Sequence, residues 1–292
     1  MRTDHSAPDD LVPERVETPV ASGGVLSGHL WSPGGAPRAS LVVHPATATP
    51  EGFYHPFARF AAQQGVATLT YNYRGVGSDA RVHRHLRMRD WLLEDAPTAT
   101  ALAAQRFAGV PQVAVGHSLG GHALLLGAGG DQVTRFASVA SHLAAMSAIP
   151  SRSERLRVAA ILGVIGPGLG RALGYVPGRR MGLGEDVPVA ALREWSGWTR
   201  LPAYFYDDPS FDARTRAEAT TARILAVGVD DDPWSVPAAI DALVAAAAGP
   251  VERRQYSPAD LGQERVGHHG LFRRAAGARF WPELLDWLTR AD

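Results

Sequence analysis

Residues 113–126 read VAVGHSLGGHALLL: an apolar strand-like run, Val113 to Val115, then Gly116-His117-Ser118-Leu119-Gly120, then a helix-like run from His122 to Leu126. A chain that passes from strand to helix across one tight turn strains the backbone of the residue at its apex and brings neighbouring atoms very close. Gly116 and Gly120 supply the missing side chains that such a turn needs. The following helix points its N-terminus at Ser118, which favours negative charge developing there. A G-x-S-x-G in this setting reads as a nucleophile elbow. The alternative is an ordinary glycine-rich strand-to-helix turn with a buried serine.

The rest of the chain carries the same alternation. Val16–Val20 and Val25–Trp31 flank Ala21-Ser22-Gly23-Gly24 and read as a hairpin. Leu41–Val43 is a short buried strand ending at His44-Pro45, Phe53–Gln64 is helix-like, and Val66–Tyr73 is a strand followed by Arg74-Gly75-Val76-Gly77-Ser78. Asp90–Phe107 is helix-like, and Pro97 either kinks it or marks its start. Further strands are expected at Phe136–Ala140, Ile224–Val229 and Val251–Tyr256, with a closing helix over Trp281–Leu288. Strands alternating with helices imply an α/β fold, a doubly wound and mostly parallel sheet. Residues 14–140 and 216–292 are expected to form that core, with 1–13 as a polar arm. The interval 141–215 breaks the rhythm and is too long for an ordinary connection, so an inserted helical cap is expected there.

Composition excludes several chemistries. The 292 residues contain no cysteine, so neither disulfides nor thiolate catalysis are available. Twenty-nine basic and 29 acidic residues balance, which gives no electrostatic footprint for nucleic acid. The N-terminus lacks an apolar targeting segment. The longest apolar stretch, Val158–Gly170, is read as broken by Pro167, so no membrane span is expected. A cytoplasmic protein follows as the default. The composition gives no oligomeric state. His83 and His85 match a zinc pair only in spacing, and no metal is expected.

A serine becomes a nucleophile when a base takes its proton, and the base needs a carboxylate to orient it. Asp230-Asp231-Asp232 follows the strand Ile224–Val229, and Gly267-His268-His269-Gly270 follows the last strand. Serine, then acid, then histidine is the chain order of the α/β-hydrolases. Asp232, which precedes Pro233, is the favoured acid, with Asp231 as the alternative; His268, which follows Gly267, is favoured over His269.

Taken together these residues resemble the α/β-hydrolase superfamily, and within it a bacterial group described as serine-aminopeptidase-like. The resemblance rests on FYHPFARFAAQQGVATLTYNYRGVGS, GHSLGGHALLLG, LGYVPGRRMGLGEDVP, EWSGWTRLPAYFYDD, VDDDPWSVP and VGHHGLFRR, and spans roughly residues 25 to 290. It implies the α/β-hydrolase fold with an inserted helical cap, a Ser118–Asp232–His268 triad and no cofactor. It also implies an oxyanion hole made by the backbone amides of Leu119 and Ala46, with Thr47 as the alternate. Pro45 stands where the superfamily usually has glycine, and cannot donate. The expected function is a serine hydrolase that cleaves an ester or thioester of a small, largely apolar substrate through an acyl-enzyme. Acyl transfer, carbon–carbon bond hydrolysis or cyclisation on the same fold is one alternative, and a non-catalytic ligand-binding module is another.

Overall fold

Eight strands form one sheet in the order β1-β2-β4-β3-β5-β6-β7-β8: β1 (Glu14–Pro19), β2 (Val25–Trp31), β3 (Ala39–His44), β4 (Val66–Tyr71), β5 (Gln112–His117), β6 (Val133–Val139), β7 (Arg223–Val229) and β8 (Val251–Tyr256). The computed structural model describes residues 11–77 and 80–290. The expected arm over 1–13 therefore lies mostly outside the described residues, as does Ser78. The hairpin β1–β2 pairs antiparallel, and β2 joins β4 antiparallel; every pairing from β4 to β8 is parallel.

The parallel strands are buried on both faces, which is why they read as continuous apolar runs. Alternate side chains serve opposite layers. Val42, Ala114, Phe136 and Ala226 pack into one cluster, whereas Leu41, Val43, Val113, Val115 and Leu225 pack into the other. The second cluster is closed by the helix Arg274–Thr289, which contributes Phe280, Trp281, Leu284 and Leu288.

Three prolines sit within helices without interrupting them. The closing helix begins at Arg274, well before the expected Trp281, and runs through Pro282. The helix over 88–106 contains a wide turn at Trp91–Asp95, where the Ala96 amide donates to the Trp91 carbonyl five residues back, just before Pro97. The same device recurs in Arg152–Leu173: the Gly166 amide reaches the Ile161 carbonyl, and Pro167 follows. A wide turn re-registers the hydrogen-bond ladder so that the missing proline N–H leaves the helix intact. The reading of Val158–Gly170 as broken at Pro167 is thereby corrected. Arg152–Leu173 is one helix of 22 residues, long and apolar enough by length and composition to cross a membrane. It shows Leu156, Val164 and Ile165 to solvent.

Between β6 and β7 the chain leaves the sheet and makes a set of helices, chiefly Arg152–Leu173, Val189–Trp198 and Ala213–Glu218. Several contacts tie this insertion to the sheet side. Arg89 pairs with Glu194 and Asp208, and the Glu185 amide donates to the Ala48 carbonyl at 2.7 Å.

Candidate active site

The carboxyl ends of β3, β5, β6 and β7 converge on one spot. His44 is in register with Gly116, and Gly116 with Ser138. In open parallel sheets this is where ligands bind. Ser118 stands immediately after β5 with φ 52° and ψ −110°, a conformation that L-residues rarely adopt. Packing holds it there. A Cβ on Gly116 would lie 2.3 Å from the Gly120 carbonyl carbon, and one on Gly120 would lie 2.1 Å from the His44 carbonyl oxygen. The Ser118 amide donates to Val139 at 2.8 Å, which fixes the apex to the neighbouring strand. Leu119 is the first residue of the helix Leu119–Ala128, where an amide has no acceptor within the helix.

The three adjacent aspartates have three different partners. Asp230 accepts from Gln255 at 3.0 Å on the surface. Asp231 accepts from the backbone amides of Val266 and Gly267, both at 2.8 Å, and so shapes the loop that carries His268. Asp232 is buried, and its Oδ2 lies 2.7 Å from His268 Nδ1. Its other contacts are the Ser235 hydroxyl and the amides of Trp234 (2.9 Å) and Ser235 (3.3 Å). Burial alone would raise this carboxyl. The His268 charge and these hydrogen bonds outweigh it and hold Asp232 well below the usual carboxylate range. Ser118, Leu119, His268 and His269 line one cavity together with Ala46 and Thr47.

The expectation that the Ala46 amide faces a developing oxyanion does not fit its hydrogen bond. That amide donates to the buried hydroxyl of Tyr54 at 2.9 Å. The loop after β3 is further fixed by Thr49 N–H to the Ala46 carbonyl and by positive φ at Ala48. Thr47 is the next residue of the loop and lines the cavity.

Tyr54 and His117 were not legible as site residues. The Tyr54 hydroxyl lies 2.8 Å from His117 Nδ1, and His117 Nε2 lies 2.9 Å from the His268 carbonyl. A carbonyl only accepts, so Nε2 carries the proton and Nδ1 accepts from Tyr54. The result is a buried chain from the Ala46 amide through Tyr54 and His117 to the backbone of His268. Burial and the neighbouring His269 and His268 hold the His117 ring well below its ordinary pKa, so it stays neutral. Tyr54→Phe removes one acceptor and one donor from this chain. It is expected to lower stability by about 2 kcal/mol, read as the urea midpoint; an unchanged midpoint would show that the chain contributes nothing.

Most of the remaining cavity wall comes from the insertion: Leu143, Ala145, Ile149, Val158, Ile161, Leu162, Leu183 and Trp195. Trp234 Nε1 donates to Glu154 at 2.8 Å, and Glu154 pairs with Arg157, so the loop of Asp232 is stitched to the helix Arg152–Leu173. Both His142 and His269 are kept largely neutral, each pushed down to about 4 by burial and by His268.

An eight-stranded, mostly parallel sheet with a serine at a strained strand-to-helix turn defines an α/β hydrolase. Solved structures share this fold. A monoglyceride lipase from Saccharomyces cerevisiae has a TM-score of 0.66 at 14% identity, covering 96% of this chain and 95% of that one. The α/β hydrolase GrgF from Penicillium sp. sh18 has a TM-score of 0.62 at 18% identity, covering 96% and 99%. Residues 35–180, half of the chain, match the family model described as serine aminopeptidase, S33, and the chain belongs to that family. A monoacylglycerol lipase of Mycolicibacterium smegmatis is 28% identical over 141 residues, 48% of this chain. The match spans about half the length of that relative (50%).

Proposed function

We propose that this chain is a serine hydrolase that cleaves a carboxylic ester or thioester of a small, largely apolar substrate through an acyl-enzyme. The observation that carries the reading is the strained Ser118 at a helix N-terminus, sharing a cavity with a His268 ring that is bonded to the ionised Asp232. Ser118 Oγ attacks the carbonyl carbon while His268 Nε2 takes its proton. The oxyanion accepts from the amides of Leu119 and Thr47; Thr47 replaces Ala46 in this role because the Ala46 amide is already bonded to Tyr54. The tetrahedral adduct collapses, and His268 returns the proton to the departing alcohol or thiol. Water, deprotonated by His268, then attacks the acyl carbon and releases the acid with Ser118 restored.

We assign residues 141–215 as a cap, because this stretch supplies the apolar wall over the serine. A wall of leucine, isoleucine, valine and tryptophan suits a single acyl chain, in keeping with the lipase relative. Intact mass after treatment with a fluorophosphonate tests the chemistry: one adduct is expected on the native protein and none on Ser118→Ala. An ester panel tests the substrate. kcat/KM is expected to rise from acetyl to longer acyl groups, by up to roughly fourfold per buried methylene. An adduct that persists on Ser118→Ala would overturn the nucleophile, and a preference for acetyl would overturn the apolar acyl site.

A further inference from the structure

Just after the loop that follows β3, three side chains from separate elements converge. His29 comes from β2, Glu51 opens the short helical turn after the loop, and His55 begins the next helix. One donor atom from each lies within 4.8 Å of the other two. His29 Nδ1 is 3.0 Å from Glu51 Oε1, and His55 Nε2 is 3.7 Å from Glu51 Oε2. Ligands held 2.0–2.1 Å from a tetrahedral zinc are separated by about 3.3–3.4 Å. The two separations, each to a different carboxylate oxygen and the shorter one a hydrogen bond as it stands, lie on either side of that value.

Two further observations point to a cation. His55 Nε2 is shielded from solvent and has no hydrogen-bond partner, and 3.7 Å to the carboxylate is too long for one. A buried imidazole nitrogen left unpaired in this way is costly. Glu51 is itself buried and oriented by supporting donors: Thr70 Oγ1 at 2.9 Å and Asn72 Nδ2 at 3.4 Å. Carboxylate ligands of metal sites are held by such outer contacts. The His29 and His55 side chains keep about a third of their surface exposed, 31% and 29%, so the cluster lies close to solvent although His55 Nε2 itself is covered.

We propose that His29, Glu51 and His55 form a binding site for a divalent first-row transition cation, Zn2+ being the representative, with water completing the tetrahedron. Two imidazoles and one carboxylate suit Zn2+ or Co2+ and not Mg2+ or Ca2+, which prefer all-oxygen shells. Glu51 and His55 are four residues apart, but His29 lies 22 residues upstream of Glu51 on another element, so the sequence alone did not mark the set. The bound ion would staple the segment after the loop of Ala46 and Thr47 to β2, the second strand of the sheet.

The test is metal binding by the EDTA-treated full chain. One equivalent of Zn2+ is expected to bind and raise Tm, and Co2+ in its place should give the intense visible absorption of a four-coordinate ion. His29→Gln and His55→Gln are each expected to weaken Zn2+ binding at least tenfold and to abolish the Tm shift, with circular dichroism unchanged. His268→Ala should leave binding unaltered, which separates this site from the histidines of the cavity. Zn2+ binding that survives both glutamine variants, binding lost in His268→Ala, or only the weak absorption of six-coordinate Co2+ would overturn the assignment.

Discussion

Asp232→Asn is expected to lower kcat on an activated ester by about 10⁴-fold, because an amide holds the neighbouring imidazole in the wrong tautomer and cannot stabilise its charged form. Asp231→Asn is the informative contrast. Asp231 meets only two backbone amides of the His268 loop, and asparagine keeps one acceptor for them. Its kcat should stay within about tenfold, with about 1–2 kcal/mol lost from stability. Equal losses in the two variants, or a larger loss at Asp231, would reassign the acid. The pH profile gives a second check. Asp232 is held well below the usual range, so it stays ionised across the working range and the acid limb of kcat/KM should not carry its titration. Its contribution to stability has the sign of a depressed carboxylate. It is present above the unfolded value of about 3.9 and is lost as pH falls from there toward the folded value.

The elbow was legible because each of its residues has a local physical reason. Gly116 and Gly120 are required by contacts at 2.3 and 2.1 Å that no side chain survives. The strands were legible because parallel strands buried on both faces leave apolar runs. The helix ends near proline were not. Pro97, Pro167 and Pro282 all sit within helices, and the wide turns that admit the first two have no marker in the sequence other than the proline itself. The loop after β3, proposed above to carry an oxyanion donor, was partly legible. Pro45 excluded itself by lacking an N–H, but the choice between Ala46 and Thr47 depends on a tyrosine hydroxyl from the next helical turn. Tyr54 and His117 show the limit clearly. A tyrosine in an amphipathic stretch and the variable residue of the elbow look like packing groups until the fold brings them within 2.8 Å.

Acid is expected to unfold this protein well above the pH at which carboxylates alone would do so. His44 and His122 are pushed down to about 3 by burial, and His142 and His269 to about 4 by burial and His268. His117 is lowered as well. Each has an unfolded-state value near 6.5, so below that pH the unfolded chain binds protons that the folded one refuses, and stability falls as pH falls. Two carboxyls act in the opposite sense. Burial raises Asp95 to about 6 against the pull of Arg74, and burial also raises Glu194, so the folded state takes up protons there. Four imidazoles, His44, His122, His142 and His269, against Asp95 leave roughly three protons, a slope that approaches about 4 kcal/mol per pH unit well below 6.5, with His117 and Glu194 acting in opposite senses beside them. By pH 5 the loss is on the order of 6 kcal/mol, comparable with the whole stability of many domains. Urea midpoints by circular dichroism from pH 8 to pH 5 measure that slope directly, and a flat profile between 7 and 5 would refute it. The consequence for catalysis is separable from titration of His268. If the fold sets the acid limit, activity lost near pH 5 must fall cooperatively with ellipticity, and the ellipticity transition must move to lower pH when an inhibitor is bound at Ser118, whereas protonation of the base alone would leave the ellipticity intact.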